Sequence, residues 1–114
     1  MEENKKIKIG CASAFWGDTN DAAAQLVNSE QIDYLVFDFL AEVTMSILAA
    51  AKMKNSNLGY ATDFVNQTAP LLSKIKTQGI KVISNAGGIN PVACREALSK
   101  EADKQGLKFN IAIV

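Results

Sequence analysis

Two carboxylates, Asp38 and Glu42, stand four residues apart at the end of the apolar run Asp33-Tyr34-Leu35-Val36-Phe37-Asp38. With a helix beginning there, that spacing puts both on one face, able to hold a divalent cation such as Mg²⁺ or to share acid and base duties. The competing reading gives Asp38 to a helix cap and Glu42 to the positive end of the helix dipole. A second candidate is Asn85-Ala86-Gly87-Gly88-Ile89-Asn90-Pro91. Gly87 and Gly88 allow close backbone approach, and a helix opening at Pro91 behind Asn90 presents free N–H groups to a phosphate or carboxylate. Neither GxGxxG nor the Walker pattern is present, and two glycines before an Asn-capped helix also make an ordinary turn. Ser13-Ala14-Phe15-Trp16-Gly17-Asp18 is a third candidate, with polar groups at Ser13 and Asp18 and a turn residue at Gly17. Its aromatics either form an apolar lid or stacking surface or plug the space between loop and core. In Tyr60-Ala61-Thr62-Asp63, Tyr60 and Asp63 reach for the same place while Thr62 reads as a cap.

The elements that must position these groups follow from the apolar pattern. Ile7 to Ala12, Asp33 to Asp38, Lys81 to Ser84 and Phe109 to Val114 read as four short strands. Their continuous apolar character suggests burial on both faces, the habit of a parallel sheet. Helices are expected over Asn20 to Asn28, capped from Asp18 to Asn20, and over Leu40 to Lys54, with Lys52 and Lys54 at its negative end. A third covers Thr62 to Gln78, broken near Pro70 and closed by Gly79, and a fourth covers Pro91 to Gln105 before Gly106. The order β-α-β-αα-β-α-β predicts a single α/β domain over residues 1–114. It is a three-layer α/β/α, Rossmann-like arrangement on a mostly parallel sheet of about four strands. In an open parallel sheet ligands bind beyond the carboxyl ends of the strands, where the polar and glycine-rich segments above fall.

Composition bounds the chemistry. The 114 residues carry 12 basic and 12 acidic side chains and no His, so His-based acid–base catalysis, His triads and His-ligated zinc are excluded within this chain. The zero net charge argues against nucleic-acid and anionic-membrane partners, which need clustered excess Lys and Arg. Charge is unevenly spread: Asp18, Asp21, Glu30, Asp33, Asp38 and Glu42 meet no Lys or Arg between Gly10 and Ala51. An acidic rim repels a bare anion, which favours a bridging hard cation such as Mg²⁺. The mixed charges of Met1 to Lys6 do not make a signal peptide, and no apolar run approaches the ~18 residues of a membrane span. The expected setting is cytoplasmic, with Cys11 and Cys94 as reduced, small core residues.

Taken in order, the segments around Ser13 to Asp18, Asp33 to Met45, Leu58 to Phe64 and Asn85 to Pro91 resemble the N-terminal part of the acyclic terpene utilisation (AtuA) family. The resemblance runs over nearly the whole chain. It implies a protein of bacterial terpenoid breakdown through CoA thioesters, with a lyase step suggested on a branched 3-hydroxyglutaryl-CoA intermediate. Members run to several hundred residues, so it also implies that these 114 form the front part of a longer protein.

Two functions follow as expectations. In the first, the chain is an enzyme fragment or subunit that binds an acyl-CoA, its acyl part or a carboxylate at the strand-end rim. Asp38 and Glu42 are then its catalytic or metal-binding residues, and Ser13, Trp16, Gly17, Asp18, Tyr60, Asp63, Asn85, Gly87, Gly88 and Asn90 its ligand contacts. Such a piece is not expected to be active alone, and Mg²⁺ is the one cofactor considered. In the second, it is a non-catalytic α/β module that docks on a partner subunit. The partners expected are the remainder of the family protein or further copies of the chain.

Overall fold

Apolar β-branched runs bounded by Gly, Ser and Asp become the strands. In the computed structural model, which describes residues 5–114, β1 spans Ile9–Ser13, β2 Tyr34–Phe37 and β3 Lys81–Ser84. All pair in parallel in the order β1-β2-β3. The register aligns Ile9 with Tyr34 and Lys81, then Cys11 with Val36 and Ile83, and a bulge between Cys11 and Ser13 brings Ser13 opposite Phe37. The helices are α1 (Ala22–Asn28), α2 (Glu42–Lys54), α3 (Thr62–Thr68), α4 (Leu72–Gln78) and α5 (Pro91–Lys104).

Local chemistry sets the helix ends. Pro70 cannot donate to the ladder, and the expected break falls there: a short 3₁₀ turn, Ala69–Leu71, separates α3 from α4. Gly79 ends α4 in the left-handed conformation, φ 67°. Asn90 caps α5 by accepting from Ala93 N at 3.4 Å, with Pro91 in the first turn. Two expected caps are used otherwise. Asp18 closes its own loop by accepting from Ala14 N, so α1 starts behind Asp21 without a side-chain cap, and α3 starts behind Ala61, not Thr62. Asp38 lies four residues before α2, which Ala41 precedes, so Asp38 caps nothing there, while Glu42 occupies the first turn as the dipole favours.

The core forms where one sheet face meets α1, α3, α4 and α5. Ala12, Leu35 and Phe37 point into it and meet Val27, Val65, Ile75 and Cys94. Phe37 stacks on Phe39 at 5.6 Å and receives the edge of Phe64 at 5.1 Å, the contact that ties β2 and its exit to α3.

The α/β class and the parallel sheet are those expected, with three strands close to the four read from the sequence. The apolar segment 109–114 does not pair as a strand: Phe109 rests against the core under Lys76, and the chain beyond it runs free of the sheet. Of the three layers expected, the described residues build two. Strands added in the order β1-β2-β3 step always to the same side, and crossovers of one hand then lay their helices on one face. The other face keeps Ile9 and Ile83 more than half exposed, and Cys11, expected in the core, lies exposed beside them. Cys94 is buried as expected. No helix among the described residues is long and apolar enough to cross a membrane.

Candidate functional site

Parallel strands deliver their C-terminal ends to one rim, and there the three exits are tied through side chains. Asp38 N donates to Ser13 O at 3.2 Å, and Ser13 Oγ returns a hydrogen bond to Asp38 O at 3.1 Å, joining the ends of β1 and β2. Asn85 joins β2 to β3: its Oδ1 accepts from Phe39 N at 2.9 Å and its Nδ2 donates to Asp38 Oδ1 at 2.8 Å. The two partners fix the orientation of the amide, since an N–H needs the oxygen and a carboxylate needs the NH₂. The Asp38 carboxylate is therefore held through one oxygen while the residue remains exposed. An aimed carboxylate of this kind accepts a hydrogen bond or a proton from a bound molecule with little reorganisation.

The loop after β1 is built to hold its shape. Ala14 N donates to Asp18 Oδ2 at 2.9 Å, Asp18 N donates to Phe15 O, and Gly17 takes φ 92° at the bend. Trp16 Nε1 donates to Asp63 Oδ2 at 2.9 Å, which pins this loop to the start of α3. Trp16 is half-buried against the core and Phe15 is exposed, so the pair divides between plug and surface. Beside Asp63 an open groove of about 410 Å³ is lined by carboxamides, Asn20, Asn66 and Gln67, with Gln67 Nε2 donating to Asn20 Oδ1.

The glycine segment is packed tightly. A Cβ on Gly88, φ 55°, would lie 2.5 Å from Leu48 Cδ1 and 2.7 Å from Gly59 O, and one on Gly87 would lie 2.8 Å from Pro91 Cβ. The space in front of Gly88 is filled by α2, and Ile89 N donates to Gly59 O. Asn90 Nδ2 donates to Ser56 O and Leu58 O while its Oδ1 caps α5, so its polar groups are engaged within the chain. Tyr60 sits beside this seam. Burial raises its phenol above the ordinary range, with Cys94 adding to the rise, and burial pushes the Cys94 thiol up to about 11.

The structure thus brings Ser13, Asp38 and Asn85 together, and separately Trp16 with Asp63. Gly88 and Asn90 join the segment leading to Tyr60, and Glu42 is exposed at the start of α2 with no side-chain hydrogen bond to the described residues. Among the described residues no three or more His, Cys, Asp or Glu form a cluster able to hold a metal ion, and because Asp38 lies outside α2 the helical spacing expected to set it on one face with Glu42 does not apply. Sequence reasoning missed Phe39, whose N–H orients Asn85, and the carboxamides of the groove. A main-chain donor leaves no trace in residue type, and Asn66 and Gln67 read as ordinary helix surface.

Fold and rim define an α/β protein with a parallel sheet and a polar strand-end rim. Comparison with known families matches residues 7–114 to Acyclic terpene utilisation family protein AtuA. The chain belongs to that family and is a terpene utilisation-related protein. No curated protein and no solved structure matches it.

Proposed function

We propose that the strand-end rim binds the acyl part of a branched CoA thioester, with Asp38 as the group that receives a hydrogen bond or proton from it. The observation that carries this reading is the Asn85 bridge, which spends an exposed side chain on aiming a carboxylate and adds no strand pairing. Electrostatics orient the ligand. Asp18, Asp38 and Glu42 belong to a stretch without Lys or Arg, so the CoA phosphates lie away from the rim and the acyl end lies on it. Phe15, more than half exposed at the exit of β1, supplies apolar surface for a branched chain.

In a lyase step on a 3-hydroxyacyl thioester, the carboxylate takes the hydroxyl proton. The C2–C3 bond then breaks with its electron pair going to the thioester enolate, and C3 leaves as a carbonyl. Asp38 suits the first of these events, and Glu42, exposed at the start of α2, is the further polar group proposed to meet the ligand. No step here runs through a metal. Isothermal titration of the chain with a branched 3-hydroxyacyl-CoA and with free CoA, each with and without Mg²⁺, tests the reading. Binding of the thioester but not of CoA, weakened about tenfold or more by Asp38→Asn, is the expected result. Absence of heat at millimolar thioester overturns it.

A further inference from the structure

Parallel sheets are almost always covered on both faces, because their strands leave apolar side chains on each. Here the cover is one-sided. The register places Cys11, Val36 and Ile83 in one row of the open face and Ile9 in the next, with Ile7 leading into β1. Ile7, Ile9 and Ile83 are 63%, 66% and 56% exposed. A second surface lacks cover as well. Helix α2 buries Thr44 and Leu48 on its inner side, yet Val43 and Ile47 point outward, 71% and 51% exposed, Ala50 continues their line, and Met53 beside it is 89% exposed. A helix apolar on both sides calls for packing on both.

We propose that α2 of a second copy of this chain covers the open sheet face, each copy giving its helix and receiving one. The layer the sheet lacks is a helical one, and α2 is the helix with an unused apolar stripe. Its own copy cannot use that stripe. Leu48 packs against the Gly88 segment and Lys52 Nζ donates to Ile89 O, which holds α2 at the strand ends. Area supports reciprocity. The sheet face alone, roughly 15 Å by 17 Å, is too small for a stable dimer. The six large apolar residues of both surfaces leave roughly 700 Å² in water on each copy, close to the ~800 Å² that each partner gives to an interface of standard size.

Sedimentation velocity of the chain from low micromolar to about 0.2 mM tests this, with Cys11 as a reporter because it lies exposed on the open face while Cys94 is buried. The proposal expects a mass twice the 12.3 kDa of one chain and a Cys11 labelling rate that falls as concentration rises. Ile83→Lys on the sheet and Ile47→Lys on the helix should each weaken association about tenfold or more without changing the far-UV circular dichroism. A single-chain mass throughout with concentration-independent labelling overturns the proposal. Association that Ile83→Lys abolishes and Ile47→Lys leaves intact also overturns it, since α2 is then not the covering element.

Discussion

At the scale of single residues, the site depends on atoms already committed within the chain. Asn85 is worth more than its polarity suggests because both ends of its amide are used, one on Phe39 N and one on Asp38. Gly88 and Gly17 both have positive φ, but their surroundings differ. Gly88→Ala would drive a methyl against Leu48 and the Gly59 carbonyl, whereas nothing lies within 4 Å of a Cβ on Gly17. Chemical denaturation should therefore show Gly88→Ala costing about 2–4 kcal/mol and Gly17→Ala about 1 kcal/mol, mainly backbone strain. Cys94 gives a pH dependence. Its folded value, about 11, lies above the ordinary 9.0, so the thiol is neutral in both states at low pH and its contribution is intact there. Between pH 9 and 11 the unfolded chain loses the proton first, and stability falls as pH rises. The loss attributable to this thiol is on the order of 1–2 kcal/mol. In thermal melts Cys94→Ala should show a shallower alkaline decline than the parent, and an unchanged slope would contradict the assignment.

At the scale of elements, the loops beyond the strands are stapled to helices far away in sequence. The bond from Trp16 Nε1 to Asp63 crosses 47 positions and joins the β1 exit to α3. A double-mutant cycle with Trp16→Phe and Asp63→Ala should return a coupling of about 1 kcal/mol, and a coupling near zero would mean the loop is held by packing alone. This scale also shows what the residues alone could reveal. Pro70, Gly79, Asn90 and Pro91 announced their helix boundaries because each acts on its own backbone. The Asn85–Phe39 and Trp16–Asp63 contacts depend on which strands and helices become neighbours, and local spacing does not encode that. Likewise Phe109 to Val114 has strand composition but pairs with nothing among the described residues, since composition supplies a tendency and pairing needs a partner.

At the scale of the whole molecule, the strand order controls both surfaces of interest. Parallel pairing puts every strand exit on one rim, and stepping β1-β2-β3 in one direction lays the core helices on one face, which leaves the opposite face without a helix among the described residues. Continuous apolar strands read as buried on both sides whether the second cover comes from the same chain or another, so the one-sided helical layer was beyond the reach of periodicity. Whether the acyl end of a CoA thioester sits on the rim at Asp38, as proposed, is decided by ¹⁵N-edited NMR during a titration with a branched 3-hydroxyacyl-CoA. The Asn85 side-chain amide and the Phe39 and Asp38 backbone N–H signals should shift together and saturate, and Asp38→Asn should remove the effect. Saturating shifts confined to the groove at Asn66 and Gln67, with the Asn85 amide unmoved, would contradict it.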